Sequence, residues 1–185
     1  MSEEELRRLL DEERAGQAAR DRARSRRLRE QAAEEGTLAG ALRRLADRRL
    51  PVGVHTAAGA LHQGVLVGVG ADYCALRAAG GRPRYLALAA IASVRPAVEA
   101  AAVTAEGAGD PDGGDRLAPT LAEMLGRLAP ERPEVTLRTG TDPDALHGVL
   151  RSVGVDVCEV DLVGLPGRAL VSLAAVSEII VDARA

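Results

Sequence analysis

The chain states one pattern twice, and that internal repeat constrains its fold more than any other feature. Gly64-Val-Leu-Val-Gly-Val-Gly-Ala-Asp72-Tyr-Cys74 returns as Gly148-Val-Leu-Arg-Ser-Val-Gly-Val-Asp156-Val-Cys158. Leu88-Ala-Ala-Ile91 returns as Leu173-Ala-Ala-Val176, and Thr37 and Thr120 each open a helix-like run upstream. Self-similarity at this spacing means one supersecondary unit made twice. Units of roughly 60 residues lie near the lower limit for a self-sufficient core, so the copies are expected to pack on each other or on another chain.

Each copy reads as a short helix followed by five short strands. Thr37 caps a run in which Leu38, Ala41, Leu42 and Leu45 share one helical face. Pro51 follows it, and proline disfavours helix in the residue before it. Strands are predicted at Val52–Thr56, Val65–Val69, Tyr73–Arg77, Tyr85–Leu88 and Ile91–Val94, separated by Gly-rich turns. In the second copy Thr120-Leu-Ala-Glu123 reads as a capping box. Its strands are predicted at Glu134–Arg138, Val149–Val153, Val157–Leu162, Ala169–Leu173 and Val176–Val181. Gly70 and Gly154 read as turn residues with positive φ, and Asp72 and Asp156 as acceptors of N–H bonds within their own bends.

The rest of the chain divides accordingly. Residues 1–36 are rich in Ala, Glu and Arg and read as a charged N-terminal helix opened by a Ser2–Glu5 capping box. Residues 37–97 form the first unit, 98–119 a Gly/Asp/Pro-rich linker and 120–185 the second unit. All 24 basic residues are arginine. Seven lie between Arg14 and Arg29 against one acid there, Asp21, whereas from Pro51 onward 11 arginines face 16 acids. The leading arm is therefore basic and the repeats mildly acidic.

Helix, five strands, glycine punctuation and an Asp at the second-to-third strand bend resemble the Sm-like (LSm) small β-barrel family. The residues that carry the likeness are Gly59, Gly64 and Asp72 in the first copy and Gly148 and Asp156 in the second. The pattern also looks like that of actinobacterial proteins with a charged helical leader. The resemblance implies an α+β protein: a long N-terminal helix followed by two helix-plus-five-stranded barrels. In that family a base stacks on the side chain two after the Asp and an Asn follows. Here those positions hold Cys74 then Leu76, and Cys158 then Val160. The scaffold is implied; the nucleotide pocket is not reproduced.

The expected function is non-catalytic binding. A basic helix can neutralise phosphates whatever their sequence, which makes Arg20, Arg22, Arg24, Arg26, Arg27 and Arg29 candidates for contact with RNA or DNA. Tyr73 is the one aromatic near the bend that could stack a base. The alternative is a protein-interaction or assembly module using barrel edges and the leader helix. The edges read from the sequence, Tyr85–Val94 and Ala169–Val181, would pair with each other or join chains into a homo-oligomer. His55, His62 and His147 fall at unmatched positions without metal-ligand spacing, so no metal, cofactor or catalytic residue is assigned. Cys74 and Cys158, at equivalent positions, are expected to stay unpaired. The N-terminus lacks the basic-then-apolar pattern of a secretory signal, and the run Tyr85–Val94 is too short to cross a bilayer. The chain reads as cytoplasmic, without membrane contact.

Overall fold

The structure is a computed structural model that describes residues 22, 24–28, 36–78, 81–96, 118–140, 144–164 and 166–182. Helix α1 spans Leu38–Asp47 and helix α2 spans Leu121–Leu128. The first copy supplies strands β1 (Pro51–Thr56), β2 (Leu61–Val69), β3 (Tyr73–Arg77), β4 (Pro83–Ala87) and β5 (Ile91–Pro96). The second supplies β6 (Glu134–Thr139), β7 (Leu146–Val153), β8 (Val157–Leu162), β9 (Arg168–Ser172) and β10 (Val176–Asp182). Every predicted strand forms, several of them longer than the pattern suggested. Single 3-10 turns at Leu88–Ala90 and Leu173–Ala175 separate the last two strands of each copy.

The expected α+β architecture of a long helix and two barrels is not what these elements build. They form one open, antiparallel, ten-stranded sheet in the order β5-β1-β2-β3-β4-β10-β6-β7-β8-β9, so the described structure is largely β with short helices. The reason lies at the edge of the first copy. An unpaired strand edge exposes a row of N–H and C=O groups, and β4 satisfies its own by pairing with β10, Tyr85 opposite Ile179. The five strands of one copy thereby run on into those of the other. The long helix expected over 1–36 lies mostly outside the described residues; within that span 22 and 24–28 are described as helical.

The duplication is nevertheless explicit in the backbone. A register shift between Leu66 and Gly68 in the β2–β3 pair recurs between Leu150 and Ser152 in β7–β8. The Leu88 N–H donates to the Asp72 carbonyl at 2.8 Å, and the Leu173 N–H to the Asp156 carbonyl at 2.8 Å. Gly64 and Gly148 recur because nothing larger fits. A Cβ would lie 2.4 Å from the Arg77 carbonyl oxygen in one copy and 2.3 Å from that of Asp161 in the other.

Among the described residues two apolar clusters fill the interior. One joins Leu42 of α1 to Val52, Val54, Leu66, Cys74, Leu76 and Leu86. The other joins Leu121 and Leu125 of α2 to Val135, Leu137, Leu150, Cys158, Val160 and Ile179, and takes in Tyr73 from the first copy. Each helix is anchored at its start by the residue the sequence indicated. Thr37 Oγ1 accepts from the Gly40 N–H at 3.0 Å. Thr120 and Glu123 close a reciprocal capping box, at 3.2 Å and 2.8 Å. Among the described residues no helix is long and apolar enough to cross a membrane.

Glycine substitutions separate these roles. Gly148→Ala is expected to lower stability by roughly 2–4 kcal/mol through the clash with the Asp161 backbone. Gly126→Ala, inside α2 with nothing within 4 Å of the new methyl, should raise it by about 0.5–1 kcal/mol through helix propensity. Urea midpoints of the two variants, moving in opposite directions, check both.

Candidate interaction site at the repeat junction

The two copies meet along β4–β10, and their contact is both polar and apolar. Glu178 of β10 is only 2% exposed. A buried carboxylate is costly unless charged and polar partners surround it, and three elements supply them. Arg84 of β4 donates to Oε1, and Arg138 of β6 holds its Nε 3.5 Å from Oε2. His62 of β2 places Nε2 3.7 Å from the same oxygen.

Arg84 also donates to His62 Nδ1 at 2.7 Å. Guanidinium has no lone pair to accept with, so Nδ1 must be the acceptor and the neutral ring carries its proton on Nε2, facing Glu178. Burial holds the His62 pKa below its ordinary value. Glu178 opposes that shift, whereas Arg84 and Arg138 reinforce it. The imidazole is thus kept neutral as part of the seam.

A second contact lies at the β2–β3 bend of the first copy. Asp72 Oδ1 accepts from the backbone N–H of Leu121, the first residue of α2, at 2.7 Å, and the Ala71 N–H donates to the Pro119 carbonyl at 3.0 Å. A carboxylate at a helix N-terminus meets both an unpaired N–H and the positive end of the helix dipole. Asp72 therefore caps the helix of the other repeat rather than its own bend, which corrects the sequence reading. Gly70 does not adopt positive φ either. It is glycine because a Cβ there would sit 2.2 Å from the Tyr73 ring and 2.6 Å from the Pro119 carbonyl oxygen.

Beside this latch opens a cleft of about 660 Å³ whose lining includes Asp72, Leu121, Glu123, Val155, Asp156 and Leu173. The bend of the second copy, Gly154-Val155-Asp156, faces it uncovered. Val155 is 94% exposed, and among the described residues no donor meets the Asp156 carboxylate. Gly154, like Gly70, is not in the positive-φ region.

Of the residues proposed from sequence for nucleic-acid contact, Arg22, Arg24, Arg26 and Arg27 lie on the exposed helical segment, and Arg20 and Arg29 lie outside the described residues. They are not brought together with Tyr73. That ring is 8% exposed, packed edge-on against Tyr85 with centroids 5.9 Å apart and within the cluster around Leu121, so its faces are already covered. Cys74 and Cys158 are unpaired and buried; burial pushes the Cys74 thiol up to about 12 and the Cys158 thiol upward as well, which suppresses the reactive thiolate. Among the described residues no three His, Cys or carboxylate side chains are grouped to hold a metal ion. The Glu178 cluster was missed from sequence, although a signal existed. Glu178, Arg84 and His62 stand where the other copy has Ser93, Ala169 and Leu146.

Two measurements test the junction. Because the folded pKa of His62 is depressed, the unfolded chain binds more protons below the ordinary histidine value. Stability should therefore be full above about pH 6.5 and fall as the pH drops from there toward the lower folded pKa. His62→Gln, which keeps an acceptor for Arg84, should flatten that slope in urea titrations; an unchanged slope would place the proton uptake elsewhere. Asp72→Ala should lose about 1–3 kcal/mol by leaving the Leu121 N–H at the start of α2 without its acceptor, a loss read from the urea midpoint.

Compared with known proteins, the chain matches no family model, no curated relative and no solved structure.

Proposed function

We propose that this chain is a protein-assembly module that binds a protein partner by adding a strand to its sheet. The carrying observation is that the seam uses only one edge of each kind. By the repeat, β9 is the equivalent of β4, and β5 of β10. Yet β4 and β10 are paired with each other, while β9 and β5 end the sheet. Main-chain groups on an open edge give affinity, and alternate side chains give selectivity.

The side chains agree with this reading. Leu170 of β9 is 76% exposed, whereas its counterpart Tyr85 packs against the second cluster. An exposed apolar residue on an open edge is the feature that isolated proteins suppress. The likeness to the Sm-like family belongs to the same proposal and rests on the Gly64/Asp72 and Gly148/Asp156 pattern.

A second reading has its own support. Arg22, Arg24, Arg26 and Arg27 are exposed on one helical segment, a surface suited to the phosphates of RNA or DNA. The junction cleft is a poor site for such a ligand, since Asp72, Glu123 and Asp156 all line it and would repel phosphate.

Sedimentation of the purified full chain, with and without nuclease, separates the two. The assembly reading expects a mass above that of one chain, unchanged by nuclease and reduced to one chain by Leu170→Lys, which places a charge on the edge. A single-chain mass at every concentration, or an assembly indifferent to Leu170→Lys, overturns it. Loss of the larger species on nuclease treatment would transfer support to the arginine segment.

A further inference from the structure

Resting on that assembly reading, we infer that the partner is a second copy of this chain, and that Asp156 is the latch that receives it, by accepting from the backbone N–H of Leu38 at the start of the incoming α1. The inference follows from comparing the two ends of the molecule with its middle. In the middle, the first copy offers a bend and the second offers a helix start, and the two are engaged. Asp72 accepts from the Leu121 N–H at 2.7 Å, and Leu121 is buried to 3%.

At the ends the same halves are present and disengaged. The bend of the second copy offers Asp156, the equivalent of Asp72, with an exposed carboxylate, and Val155 at its tip is open to solvent. The start of α1 offers Leu38, the equivalent of Leu121, and Leu38 is 41% exposed. Among the described residues no acceptor meets its N–H, because Thr37 Oγ1 takes that of Gly40 instead.

The two half-sites also lie with the matching strand edges. In the middle, the copy whose bend caps the helix is also the copy whose β4 receives β10. At the ends, the copy bearing Asp156 bears the open β9, and the copy bearing Leu38 bears the open β5. One placement of a second chain would therefore engage both contacts, repeating the relation between the copies. Such an interface joins unlike surfaces, so each chain keeps one half free for the next.

Chemistry supports this occupant over an unrelated one. The bend presents an acceptor beside an apolar tip, and the seat at Asp72 shows that a helix start with a leucine at its first position fits that arrangement. The capping carboxylate adds a charge-assisted bond, which places salt sensitivity in the contact.

The test uses the full chain and two single-end variants, Asp156→Ala and Leu38→Ser. Each should weaken self-association by about tenfold or more in sedimentation equilibrium, the size of one lost charge-assisted bond or one buried leucine. Asp156→Ala should leave the thermal midpoint of the dilute protein unchanged, since the carboxylate supports nothing within its own chain. Mixed together, the two variants should recover a one-to-one heterodimer at close to the unaltered affinity, because each retains the half the other lacks. The mixture should not grow further. If the unaltered chain assembles but neither variant weakens it, or the mixture shows no preferred heterodimer, the latch is overturned while strand addition survives. If the unaltered chain stays single, both are overturned.

Discussion

Backbone groups at a strand edge must find partners, and the pairing of β4 with β10 is the solution on which the rest of this molecule depends. It turns ten short strands into one sheet and brings the two apolar clusters side by side. It also creates the burial that Glu178 could not otherwise tolerate. The arginines and the histidine around that carboxylate come from β2, β4 and β6, so the polar cluster exists only when the strands of both copies are in register. A slip of one residue would turn Glu178 to the opposite face of β10 and leave Arg84 without it. The cluster therefore specifies the register as much as it stabilises the sheet, the best-supported role for buried polar groups.

The repeat made the strands legible because it supplied each one twice. A run such as Val65–Val69 is ambiguous by itself, but its return at Val149–Val153 with the same flanking glycine fixes both. What it could not show was contact between copies, because equivalence in sequence says which residues play the same local part and nothing about who meets whom. Asp72 shows the limit. Its recurrence as Asp156 suggested a local duty in each bend, yet only Asp72 has the helix of the other copy above it. Tyr73 is similar, a residue of the first copy that completes the core of the second. Closure into barrels failed as an expectation for the same reason. Short strands with tight turns are compatible with a closed or an open sheet, and the choice is made by edges that lie far apart in sequence.

Departures from the repeat turned out to carry the missing information. Gly64 and Gly148, like Cys74 and Cys158, agree between the copies and serve the fold of their own copy. Three positions that differ in charge, Glu178 against Ser93, Arg84 against Ala169 and Arg138 against His55, serve the junction. Gly70 and Gly154 refine the point. Both are glycine, but only Gly70 lies beneath a ring and a carbonyl oxygen, and it is buried while Gly154 is exposed.

The same comparison explains why a junction within one chain and a junction between chains need not be equally charged. The halves of the internal seam are covalently joined, so the second contact forms at a high effective concentration once the first is made. That connection offsets the cost of desolvating Glu178 and its cationic partners. The free edges carry Ser93 on β5 and Ala169 on β9 at the corresponding places, with His55 and Leu146 on strands behind them, so a strand arriving there would meet no acidic counterpart of Glu178 that had to be stripped of water. An edge of this composition gives main-chain pairing and an apolar contact at Leu170 beside the Asp156 bend, a combination suited to a joint that forms and dissolves, whereas the charged seam holds a fixed register.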